Sequence, residues 1–120
     1  MFKIDTKNGF YVISSACTNI DENFVRSFQD KLNEHCKGKM STILHLEACK
    51  EIDTAMANQL QQWQDYAVKE KQSFAICAEQ RDLYTSLQKL QNDHELNLSP
   101  SLAEAIDLVS MEILERELLG

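Results

Sequence analysis

Thr42-Ile43-Leu44-His45-Leu46-Glu47-Ala48-Cys49-Lys50-Glu51-Ile52-Asp53-Thr54 is the stretch on which the fold turns. It begins as a β-prone run, Thr42 to Leu46, that reads as a central strand. It ends on Asp53-Thr54, where a side-chain oxygen can accept from the free N–H groups of a starting helix. Beyond it, Met56, Leu60, Trp63 and Ala67 recur at i, i+4, i+7 and i+11, and the spacing predicts a helix from about Thr54 to Lys69. Working outward, Ser73-Phe74-Ala75-Ile76-Cys77-Ala78 is almost wholly apolar or small, as in a strand covered on both faces. Leu83, Leu87 and Leu90 mark a third helix, Asn92-Asp93 breaks it, and Leu96 and Leu98 suggest a brief strand. Ser99-Pro100-Ser101 opens a last helix, with Ser101 and Glu104 at capping-box spacing.

Upstream of the junction, Phe2 and Ile4 alternate with polar residues. Asn8-Gly9 tolerates the positive φ of a tight turn, and Phe10-Tyr11-Val12-Ile13 forms the second arm of a hairpin. Asp21 or Asn23 caps a first helix whose face carries Val25, Phe28 and Leu32, with Gly38 placed to end it. The order β-β-α-β-α-β-α-β-α implies an α/β sandwich. Its sheet is mixed, of four to five strands, with an N-terminal hairpin and about four helices. Residues 1–120 form a single domain.

At 43% hydrophobic residues with one Pro and three Gly, the chain can bury a core and is a poor candidate for disorder. Its formal net charge of −7 repels phosphate backbones, so nucleic acid is not an expected partner. Nothing is apolar enough to insert in a membrane. The N-terminal residues carry charge where a signal peptide needs an apolar run, so a cytoplasmic location is expected. Cys17, Cys36, Cys49 and Cys77 form no C-x-x-C pair and read as reduced, partly buried thiols. His35-Cys36 are adjacent and His45 and Cys49 are four apart, but no metal-ligand cluster follows from the spacing.

No phosphate-cradling Gly-rich loop and no G-x-S-x-G elbow is present, and neither cofactor nor metal is expected. His35, His45 and His94 read as surface or half-buried polar residues rather than as bases beside a nucleophile. An enzymatic reading would have to pair Cys36 or Cys49 with a histidine, and the chain is expected not to be an enzyme. Asp53-Thr54 carries two readings. The plain one is an N-cap. The sharper one is a hydroxyl displayed for phosphorylation, where a phosphate would add about −1.5 to −2 charges beside a carboxylate.

The stretch from Leu44 to Leu60 resembles the signature of STAS domains, the fold of bacterial anti-sigma-factor antagonists. Ile52-Asp53-Thr54 is similar to that family's closing apolar-Asp-Ser/Thr segment at the head of a helix. Ile20-Asp21 with Phe28 and Leu32 is similar to its Leu-Asp pair, followed seven and eleven residues on by apolar residues. Ser101-Leu102-Ala103-Glu104-Ala105-Ile106 is similar to its Ser-Leu-x-Glu-Ala-apolar segment. The element order and length agree, so the resemblance covers nearly the whole chain.

The resemblance implies a protein switch in signal transduction and transcription regulation. Family members bind an anti-sigma factor, often a serine/threonine kinase, and release a sigma factor. The kinase phosphorylates the Ser or Thr after the Asp, and a phosphatase resets it. By position the phospho-acceptor is Thr54. The implied partner-binding residues are Asp21, Asp53, Thr54, Ala55, Met56 and Asn58. The chain departs from the family in having Met56-Ala57-Asn58 where Gly-Leu-Gly is usual, His45 in place of an Asp or Asn, and Thr18 in place of a Gly. The alternative is a non-phosphorylated STAS subunit of a lipid-transport ATPase or another signalling complex, docking through the same Asp-Thr edge.

In the last helix, Leu102, Ile106, Val109 and Ile113 form one apolar stripe and Met111, Leu114 and Leu118 a second. The second stripe reads either as a wide core-facing surface with a frayed end or as a patch that docks a partner or a second copy, giving a homodimer.

Overall fold

The computed structural model describes residues 2–36, 41–90 and 97–119. Strand β1 (Phe2–Thr6) and strand β2 (Phe10–Ser15) form the antiparallel hairpin, closed by the Lys7 N–H donating to the Phe10 carbonyl at 2.8 Å. Gly9 takes the positive φ, 95°, and among the described residues Asn8 does not share it. After a two-residue strand β3 (Asn19–Ile20), helix α1 (Glu22–Lys31) starts on Asp21, whose carboxylate accepts from the Phe24 N–H at 2.9 Å. The helix continues as a π-helical turn over Leu32–Cys36. Gly38, the expected stop, lies outside the described residues.

Strand β4 (Ser41–Leu46) is buried at all six positions, and β5 (Glu51–Ile52) leads into α2 (Thr54–Lys69). Strand β6 (Phe74–Ala78) is buried throughout, and α3 (Arg81–Leu90) follows. Strand β7 (Leu98–Ser99) and α4 (Leu102–Leu119) complete the chain. The expected break at Asn92-Asp93 and the strand position of Leu96 lie outside the described residues.

The main sheet has the order β1-β2-β4-β6-β7, parallel except for β1. Each parallel strand is laid beside the previous one in the same direction. Right-handed crossovers therefore put the three connecting helices on one face. That face carries the larger core: Ile13, Leu44, Leu46, Ile76 and Ala78 from the sheet, with Phe24, Phe28, Leu60, Leu83 and Leu87 from α1, α2 and α3. Phe28 is fully buried, its ring 4.8 Å from Trp63 and 6.3 Å from Phe74 between centroids. The alternate side chains of the strands (Phe10, Val12, Ile43, Ala75, Cys77) face α4 and pack on Ala105 and Val109. The fold is thus α/β with helices on both faces of a mixed five-stranded sheet.

Two helix details depend on side chains rather than on periodicity. Helix α2 ends with Lys71 at φ 59°, its N–H donating to the Val68 carbonyl while that of Gln72 donates to Ala67, a left-handed cap built without glycine. The far half of α4 is held by polar contacts: the Ser73 hydroxyl donates to Glu112 at 2.5 Å and accepts from Arg116 at 2.9 Å. The first α4 stripe, Leu102, Ile106 and Ile113, packs half-buried around Val109. The second stripe does not reach the core: Met111, Leu114 and Leu118 are 61%, 55% and 76% exposed.

Candidate functional site

The carboxyl ends of β2, β4 and β6 lie at one edge of the sheet, and the loops that leave them are stitched together there. The Glu47 N–H donates to the Ser15 carbonyl, that of Glu79 to Leu46, and the Gln80 side chain to the Glu47 carbonyl. Beside them β3 and β5 form a separate parallel ladder, Asn19 opposite Glu51 and Ile20 opposite Ile52. Ile20 is buried and Ile52 half-buried, both packed in the larger core, which anchors the ladder.

The next residue on each chain is the helix cap. Asp21 and Asp53 therefore each follow the last paired residue of adjacent strands spaced about 4.8 Å apart. Asp53 accepts from the Met56 N–H at 2.8 Å and its carbonyl accepts from Ala57 at 3.0 Å, so α2 starts at Thr54. Two helix N-termini, each capped by an aspartate, thus open side by side. Thr54 is the first helical residue and is exposed, as are Asp21, Asp53, Ala55 and Asn58. Met56 is half-buried and packs on the larger core, and Ala57 is buried. Exposed Glu22, Glu47, Glu51 and Glu79 lie at the same edge and make it acidic.

The ladder that joins Asp21 to Asp53 is not legible beforehand, because two-residue strands have no period to read. A second group was also missed. His45 is 7% exposed, not a surface or half-buried side chain as expected. Its Nδ1 lies 2.9 Å from the Ser14 hydroxyl and its Nε2 2.7 Å from a Glu79 carboxylate oxygen, with Glu47 3.6 Å from Nδ1. A carboxylate can only accept, so Nε2–H donates to Glu79; in the neutral ring Nδ1 then accepts from the Ser14 hydroxyl. The apolar-polar alternation that would have flagged this row is broken because Thr42, His45 and Cys77 sit in runs that are buried on both faces.

Cys49 is buried, and its thiol donates to the Glu51 carbonyl at 3.2 Å, remote in role from any base. Burial pushes its thiol pKa up. Cys17, Cys49 and Cys77 are free thiols. Among the described residues no helix is long and apolar enough to cross a membrane. His35, Cys36 and His94 are not among the side chains described. No protein-family model matches the chain, and a search of curated proteins finds no match.

Proposed function

We propose that this chain is a non-enzymatic regulatory module of the STAS type, an anti-sigma-factor-antagonist-like protein that docks an anti-sigma kinase and is switched by phosphorylation at Thr54. The observation that carries this reading is exposed Thr54 at the head of α2, with the Asp21 and Asp53 caps each following directly on the paired β3–β5 ladder. Unmodified, the acidic edge attracts a partner surface of opposite charge and steers its approach. Transfer of the γ-phosphoryl group of ATP to the threonine oxygen, with loss of the hydroxyl proton, adds about −1.5 to −2 charges there.

The free N–H groups and positive end of α2 offset that charge within the domain by about 0.3–1 kcal/mol. A docked partner receives no such compensation. The fold therefore tolerates the phosphate while the complex does not, and a phosphatase restores binding. The test is retrieval of the protein with its partners from the source cell, with the phosphosite mapped and the Thr54→Ala variant run in parallel. One phosphate on Thr54, absent from Thr54→Ala, supports the reading.

One observation favours the second reading, an unmodified subunit of a lipid-transport ATPase or another signalling complex. Half-buried Met56 and exposed Asn58 stand where the family has glycines, so side chains occupy places where a kinase backbone would approach. Co-purification with an ATPase and no phosphorylated form would select it.

A further inference from the structure

On the α4 face of the sheet, the apolar row Val12, Ile43 and Ala75 packs against the helix. The next row toward the carboxyl ends is chemically different. Ser14, His45 and Cys77 stand opposite one another on β2, β4 and β6. Glu79 follows Cys77 by two residues, and its carboxylate reaches back over the row to the imidazole. A buried imidazole and a buried thiol on adjacent central strands are thus joined by a solvent-exposed carboxylate.

We propose that His45 Nε2, Cys77 Sγ and the Glu79 carboxylate form a binding site for a divalent cation of the zinc type, with the fourth position open to water or an incoming ligand. The three ligand atoms lie within 4.8 Å of one another. Bonds of about 2.0–2.3 Å in a tetrahedral site place ligand atoms roughly 3.3–3.8 Å apart. Seating an ion takes shifts of up to about 1 Å: the exposed Glu79 oxygen, 2.7 Å from Nε2, moves outward, and small side-chain rotations of His45 and Cys77 set the remaining separations.

The donor set is nitrogen, sulfur and oxygen, the mixture that suits a borderline cation. The charges also close: thiolate and carboxylate neutralise a 2+ ion, and the imidazole stays neutral. Ser14 supplies the outer support, 2.9 Å from the other ring nitrogen. On binding, the ring proton moves through solvent exchange from Nε2 to Nδ1, where it is donated to the Ser14 oxygen. The Cys77 thiol proton leaves to water, so one proton is released per ion. The site uses neither Asp53 nor Thr54 and does not rest on the phosphorylation reading.

The experiment is titration of the metal-free protein with Co²⁺, followed by displacement with Zn²⁺. Expected are one Co²⁺ per chain, a sulfur-to-cobalt charge-transfer band, and the intense visible absorption of a four-coordinate ion. Cys77→Ser removes the charge-transfer band and Cys17→Ser leaves it. Ser14→Ala weakens binding about 10- to 100-fold with the band retained, and the exposed Glu79→Gln weakens it further. Because Glu79 is exposed, that variant keeps the test valid if Cys77→Ser fails to fold. Absence of binding, a band unchanged in Cys77→Ser, or equal affinity in Glu79→Gln overturns the proposal.

Discussion

Asp53 serves two purposes in this account, and one pair of substitutions separates them. Its carboxylate accepts from the Met56 N–H at 2.8 Å, and its charge contributes to the acidic edge. Asp53→Ala removes both. It leaves the Met56 N–H without its side-chain acceptor and costs about 1 kcal/mol, the usual value for an N-cap. Asp53→Asn keeps an acceptor oxygen and loses only the charge at the positive end of α2, which costs roughly 0.3–0.5 kcal/mol. With a urea m-value of about 1.5 kcal/mol/M, the midpoint falls by about 0.7 M for Ala and about 0.3 M or less for Asn. Urea denaturation followed by Trp63 fluorescence reads both values. Partner association is then compared between wild type and Asp53→Asn, whose folds are nearly equally stable, and the loss of charge slows association. An Asp53→Ala protein as stable as wild type, or an Asn variant as unstable as Ala, would refute the capping argument.

Phe28→Ala empties the fully buried ring site between Trp63, Phe24 and Phe74 and costs about 3–5 kcal/mol, a large share of a small domain's stability; chemical denaturation measures it. Lys71→Gly relieves a positive φ of 59° at the end of α2 and raises stability by up to about 1 kcal/mol, seen as an upward Tm shift of a few degrees. Burial, then the nearby Glu79 and Glu104, push the Cys77 thiol up to about 12, whereas an unfolded chain ionises near its ordinary value of 9.0. The folded state therefore holds this proton more tightly. Its contribution is full below about pH 9 and is lost as pH rises toward 12, so stability declines across that window. Thiol labelling at mildly alkaline pH modifies half-buried Cys17 ahead of buried Cys49 and Cys77, and reaches Cys77 only as fast as the domain opens.

Much of the architecture can be read from short signals. The nearly unbroken apolar run at Phe74 to Ala78 marks a strand buried on both faces, because a covered parallel sheet accepts such runs, and the β-prone Thr42 to Leu46 marks the central strand beside it. Asp53 marks the start of α2 through its hydrogen-bond chemistry. What escaped depends on which residues meet across the sheet. Along the chain the nearest cysteine after His45 is Cys49, whereas the register sets His45 opposite Cys77. Gln64 is buried in the middle of α2 because its side chain accepts from the Asn97 N–H at 2.6 Å, a partner 33 positions away. At the site, the exposed Asp53-Thr54 edge was legible as a helix start. The neighbouring position of Asp21 depends on a ladder only two residues long.

The most direct measurement is the phosphorylation state of Thr54 in protein taken from its own cell, read together with the partners retained by each form. The account requires a single phosphate on that oxygen and a partner held by the unmodified chain alone, with Thr54→Glu mimicking the released state. A phosphate on another residue, or equal retention of the partner by both forms, would contradict it.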